Sequence, residues 1–91
     1  MRENRVEKVL GWEVKDRGGW AIKLLPSVSG LPDRMVLMPG GRLIFVELKS
    51  PDGTVKAHQT VVHERLRRLG FEVLVLSSTT AVREWAKGLD G

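Results

Sequence analysis

The chain contains no cysteine, which removes disulfide cross-links and thiolate metal ligation at once. Its two histidines are too few for an ordinary zinc shell, so a metal ion would have to be held mainly by oxygen donors. No window approaches the roughly 18 apolar residues that a membrane-crossing helix requires, and Met1-Arg2-Glu3-Asn4-Arg5 opens a charged, amphipathic segment instead of a secretory signal. A cytoplasmic protein without membrane association is expected. Internal repeats, low-complexity tracts and linker-like stretches are absent too. With 91 residues available for one modest core, residues 1–91 are read as one domain, whose stability a partner subunit would help.

What the chain does have is the balance of a soluble folded protein, 42% hydrophobic and 29% charged residues. Its net charge of +4 favours an anionic partner, of which a phosphate backbone is the commonest. Charge alone does not separate a nucleic-acid binder from an ordinary basic surface, so the motifs must decide.

Val6, Val9, Leu10 and Val14 recur at three- and four-residue spacing, which predicts a helix from Arg2 to about Arg17, stopped by Gly18-Gly19. Trp20 to Leu25 reads as a strand ended by Pro26, followed by a flexible polar loop from Ser27 to Gly30. Two strands follow, Arg34 to Met38 and Arg42 to Lys49, joined by the turn Pro39-Gly40-Gly41. A second helix is expected from Val55 to Leu69, with Val55, Val62, Leu66 and Leu69 on one face and Gly70 at its C-terminal cap. Phe71 to Leu76 reads as a buried strand, parallel to its predecessor because a helix connects them. Thr79 or Thr80 can cap a last helix running to about Gly88, with Val82, Trp85 and Ala86 turned inward. The order is α-β-β-β-α-β-α, an α/β fold with a mixed central sheet flanked by helices.

The hairpin places chemistry. A three-residue turn sets Met38 opposite Arg42, and counting back along the two strands sets Asp33 opposite Glu47. Opposed side chains lie about 4.5–5.5 Å apart, where two carboxylates repel unless a positive charge stands between them. Magnesium or manganese, served by carboxylates and water, is the simplest such charge in a chain without thiols. Lys49, two residues on from Glu47, shares its strand face and could assist an attacking water or a phosphate. Taken singly, Pro32-Asp33 reads as a turn starter and Glu47-Leu48-Lys49 as a solvated ion pair. Their coincidence at the end of an otherwise apolar strand favours a site. Gln59 faces the sheet from the middle of the second helix's apolar stripe, where its amide could bond a loop carbonyl or orient the lysine or the water. On the first helix Glu3 shares the face of Val6, Leu10 and Val14, with Glu7 nearer its edge, so Glu3 is the first candidate for an additional carboxylate at the metal. A salt bridge or a helix N-terminal charge effect would account for either glutamate as well.

Gly30-Leu31-Pro32-Asp33-Arg34, Phe45-Val46-Glu47-Leu48-Lys49 and the later Gln59 together resemble the VRR-NUC branch of the PD-(D/E)xK, restriction-endonuclease-like, superfamily of nucleases, over nearly the whole chain. The resemblance implies a phosphodiester-hydrolysing DNA endonuclease that uses Mg2+ or Mn2+. Asp33 and Glu47 would be metal ligands, the Leu48 carbonyl a further one, and Lys49 the catalytic lysine. Gln59 matches the family's glutamine, and Glu3, or in its place Glu7, the helix-one glutamate. Small members of the family are typical of phages and bacteria and resemble Holliday-junction resolvases in acting as homodimers on branched DNA, whereas the larger eukaryotic relative is a monomeric repair nuclease with additional domains. Trp12 falls away from the helix's core face, an exposed aromatic that a second copy could cover. Arg34, Lys56, Arg67, Lys15 and Lys23 are candidates for phosphate contacts, and no base-reading module is present, so DNA shape is the expected determinant of recognition. A non-catalytic DNA-binding module, or a subunit of a replication or repair complex, is the alternative.

Overall fold

The computed structural model describes residues 2–25 and 27–90, with side chains described from Arg5 onward. Seven elements follow in the expected order: α1 (Arg2–Asp16), β1 (Trp20–Lys23), β2 (Arg34–Met38), β3 (Arg42–Leu48), α2 (Ala57–Arg68), β4 (Glu72–Leu76) and α3 (Thr79–Gly88). The strands form one sheet in the order β1-β2-β3-β4. Both β1/β2 and β2/β3 are antiparallel, and β4 runs parallel to β3. Met38 pairs with Arg42 and Arg34 with Val46, so the hairpin register is the one the turn residues dictate. Gly40 and Gly41 sit at φ +85° and +82°, a left-handed region that costs other residues about 1–2 kcal/mol, which is why this short turn uses glycine.

Strand alternation separates two faces. Val36, Ile44, Val46, Leu48 and Leu76 pack with Val6, Val9, Leu10 and Val14 of α1 and Val82 of α3 into the main core. Opposite-parity residues, among them Val73 and Glu47, look toward α2, which packs on β4. β3 lies between β2 and β4 with its C-terminal half buried, so the charged end of the strand emerges from the middle of the sheet.

Several expectations need correcting. β4 is an edge strand that begins at Glu72, and Phe71 and Val75 are exposed instead of buried because, among the described residues, no further strand or helix covers them. β1 ends at Lys23, short of Leu25. Helix α2 begins at Ala57 instead of Val55 and stops at Arg68. Leu69 is its C-cap and is 67% exposed. Gly70, at φ +97°, donates to the Arg67 carbonyl and Phe71 to that of Leu66, which turns the chain away from the helix axis before Leu69 can reach the sheet. The cap of α3 is Ser78, whose Oγ accepts from the Ala81 N–H at 3.0 Å, one residue before the threonines expected there. The segment leading to β2 is anchored: a Cβ on Gly30, at φ +94°, would stand 2.7 Å from the His58 carbonyl oxygen and 2.8 Å from a Val62 methyl. Only glycine lets this loop lie so close against α2, and it does so three residues before Asp33.

Candidate active site

Asp33 sits just before β2, where the Leu24 N–H donates to its carbonyl at 2.9 Å. Its Oδ1 accepts from the Leu48 N–H at 3.0 Å, and Oδ2 lies 3.3 Å from the Arg34 guanidinium. The carboxylate thereby closes the end of the β2–β3 pair and is held at the C-terminal edge of β3. Burial pushes its pKa above the ordinary carboxylate value and the Glu47 charge adds to this, against the Leu48 hydrogen bond and Arg34. Continued one step beyond the Arg34–Val46 pair, the hairpin register sets Asp33 opposite Glu47.

Glu47 is 5% exposed. Its Oε2 lies 3.2 Å from Lys49 Nζ and accepts from Gln59 Nε2 at 3.3 Å. Its Oε1 is buried with no hydrogen-bond partner among the described residues, a state that costs free energy unless a ligand completes it. Gln59 binds three groups at once: its Oε1 accepts from Lys49 Nζ at 3.1 Å and from the Lys56 backbone N–H at 2.9 Å, while its Nε2 meets Glu47. The amide orientation is fixed by this set, since a flip would turn NH2 onto two donors. One side chain therefore satisfies the N-terminus of α2 and holds the lysine against the glutamate. An ammonium has three N–H donors, and Lys49 spends two, leaving one.

Arg34, expected to reach DNA phosphate, is turned inward. It is 6% exposed, lies 2.8 Å from Glu7 and also bonds the Asp33 carbonyl at 3.1 Å. It alternates in step with Val36 and Met38 and so points into the α1 side of the sheet. Glu7 is accordingly engaged by Arg34. The Glu3 side chain lies outside the described residues. Lys56 is exposed at the start of α2. Arg67 is occupied by Glu64 and the Val73 carbonyl, whereas Lys15 and Lys23 are exposed.

The sequence reading missed His63. It is 1% exposed, one turn after Gln59 on the same face of α2, with Nε2 unpartnered. Burial lowers its pKa, and the Arg67 and Lys49 charges lower it further, so the neutral imidazole is favoured beside the site lysine. Its four-residue spacing from Gln59 was the available signal.

Among the described residues no group of three or more His, Cys, Asp or Glu side chains gathers to cage a cation. Two carboxylates, one with a bare buried oxygen, still fit a hard divalent ion that retains water and meets a substrate phosphate. The aspartate and the glutamate can hold such an ion, and the lysine beside them can stabilise charge on a phosphoryl group.

No family model matches the chain. It is 44% identical over 79 residues to a protein named "Putative nuclease p44" from Acyrthosiphon pisum secondary endosymbiont phage 1, covering 86% of this chain and 85% of that one. A solved structure described as a VRR_NUC domain superimposes with a TM-score of 0.88 at 34% identity, covering 96% of both chains.

Proposed function

The chain belongs to the VRR-NUC nucleases, and from that premise we propose that it is a DNA endonuclease dependent on Mg2+ or Mn2+, acting as a homodimer on branched DNA such as a Holliday junction. The observation that carries the catalytic part is the bare, buried Glu47 Oε1, with Lys49 fastened to the other Glu47 oxygen and Asp33 set opposite by the hairpin register. Asp33, Glu47 and the Leu48 carbonyl are the groups that would hold the ion. Bound there, a divalent cation polarises the phosphoryl oxygens and makes water a better nucleophile near neutral pH. Gln59 keeps the Lys49 ammonium at a fixed place, and its remaining N–H donates to the attacking water or to the phosphate as charge develops on it. Arg34 steadies Asp33 from behind through its carboxylate and its carbonyl, while the buried C-terminal half of β3 limits the motion of Glu47. Lys56, exposed beside the site at the start of α2, is the candidate for a phosphate contact.

The dimer draws support from a sheet face that helices leave open. Trp20, Ile22, Met35, Leu37 and Leu43 share the face opposite the main core, α2 packs over β4 at its far side, and Trp20 is 66% exposed. Two sites related by a two-fold axis suit a four-way junction, whose arms are themselves paired by symmetry. Labelled four-way-junction, flap, single-stranded and duplex DNA should be incubated with the protein in magnesium, manganese or EDTA, beside Asp33→Ala. Metal-dependent cutting that favours the junction and vanishes in the variant is expected. Intact substrates in both metals with a folded protein would overturn autonomous catalysis, and equal cutting of all four would overturn the preference for branched DNA.

A further inference from the structure

Helix α1 carries a feature that the nuclease site does not use. Arg5, Lys8, Trp12 and Lys15 follow one another at three- and four-residue steps, so they line a single face, and all four are exposed. The glutamates of the helix whose side chains are described are engaged elsewhere: Glu7 is bound to Arg34 and Glu13 to Arg17. Among the described residues Arg5, Lys8, Lys15 and Lys23 form no ion pair, and the acids nearest them are Asp16 on the helix and Glu7, which Arg34 engages. Trp12 also lines a cavity of about 300 Å3 between α1 and β1, with Lys8 and Lys23 beside it and Glu7 and Arg34 within it. The same Arg34 bonds Asp33, so this groove and the candidate active site share a residue.

We propose that this face binds a single-stranded segment of the substrate, with an unstacked base on the Trp12 indole and the flanking phosphates on Lys8, Lys15 and Lys23. The proposal rests on the DNA-nuclease reading and specifies which part of a branched substrate the protein holds away from the cut. An exposed indole set among cations matches a nucleobase between phosphates, because every base offers a π-face and its backbone supplies the opposite charge. A paired duplex hides those faces. A second copy of this chain fits worse, because a two-fold contact through α1 would set each copy's lysines against the other's.

The test is fluorescence anisotropy with labelled oligothymidylate of about 12 nucleotides and with a hairpin duplex, both in EDTA so that nothing is cut. Wild-type protein binds the oligothymidylate. Trp12→Ala weakens that binding roughly five- to a hundredfold, the range of one lost stacked base, while Trp12→Phe retains most of it and hairpin binding changes little. Lys8→Ala with Lys15→Ala flattens the dependence of log affinity on log salt by about 1.4, the contribution of two single-strand phosphates. No binding by wild-type protein, or equal affinity of Trp12→Ala, overturns the proposal. So does a Trp12→Ala protein whose sedimentation changes while its DNA affinity does not, since the face would then be a self-association surface. Failure of metal-dependent cleavage would sink the nuclease reading and leave this binding result standing, so the two are separable.

Discussion

Lys49 and Asp33 are held by different means, and removing each has a different signature. Lys49 touches Glu47 and Gln59 through its ammonium alone, so Lys49→Ala keeps the fold and lowers cleavage on the order of a hundred- to a thousandfold, as for the loss of one charge-stabilising donor. Single-turnover cleavage beside a thermal melt checks this, and a fully active variant would remove the lysine from the mechanism. Gln59→Glu puts a second carboxylate against Glu47 and gives up the amide N–H that bonds it. Asp33 differs because its folded-state pKa is raised, chiefly by burial. Between the ordinary carboxylate value and that raised value the folded chain binds more protons than the unfolded one, so stability falls as pH climbs through the window. Asp33→Asn has no such loss. In EDTA, the stability of the variant relative to wild type should therefore rise from acid pH through this window and then level off. A flat or falling difference in melts between about pH 3 and 7 would contradict the assignment of burial as the dominant cause.

Elements show where local pattern suffices and where it does not. The loop before β2 is fixed by Gly30, and Gly30→Ala forces both a left-handed backbone on alanine and a methyl against the His58 carbonyl. An expected loss of about 2–5 kcal/mol, strain plus overpacking, should appear in a denaturant melt together with a drop in cleavage, because Asp33 follows three residues later. A variant as stable as wild type would show that the loop can leave α2 freely. That anchoring was not readable from Ser27 to Gly30, which has the composition of any polar loop; it depends on a long-range contact with α2. The hairpin was readable, since Pro39-Gly40-Gly41 determines its own register, and that register, continued one step past Arg34 and Val46, sets Asp33 opposite Glu47. Helix and strand order followed from periodicity for the same reason, that the period is local. Arg34 and His63 were legible only in part. Alternation along β2 turns Arg34 inward, but nothing local names Glu7 as its partner, and the burial of His63 depends on the packing of α2 against β4. Ser78 in place of Thr79 as the cap of α3 is a one-residue boundary of the kind that pattern leaves undetermined.

Seen as a whole, the molecule leaves its two exposed tryptophans in opposite settings. Trp12 stands among lysines on α1, and Trp20 stands on the edge strand β1 beside Ile22, Met35, Leu37 and Leu43. The first setting suits a polyanion and the second suits apolar burial, so a homodimer would use the sheet face and leave the basic stripe free for DNA. An edge strand that also carries an open apolar face is poorly protected against association unless a specific partner covers it. Trp20→Lys places a charge in that face without touching the main core, to which β1 contributes Ala21 from the opposite side of the strand. Sedimentation should then show a dimer for wild type and a monomer for Trp20→Lys at micromolar concentration, with similar melts at low protein concentration. Cleavage separates the consequences further: a monomer retaining Asp33, Glu47 and Lys49 would still nick a single phosphodiester, but paired incisions across a four-way junction in one binding event would be lost. If Trp20→Lys remains dimeric, the sheet face is not the interface. If wild-type protein sediments as a monomer both alone and with junction DNA, paired cleavage has no structural basis, and each site must act independently on the arm it holds.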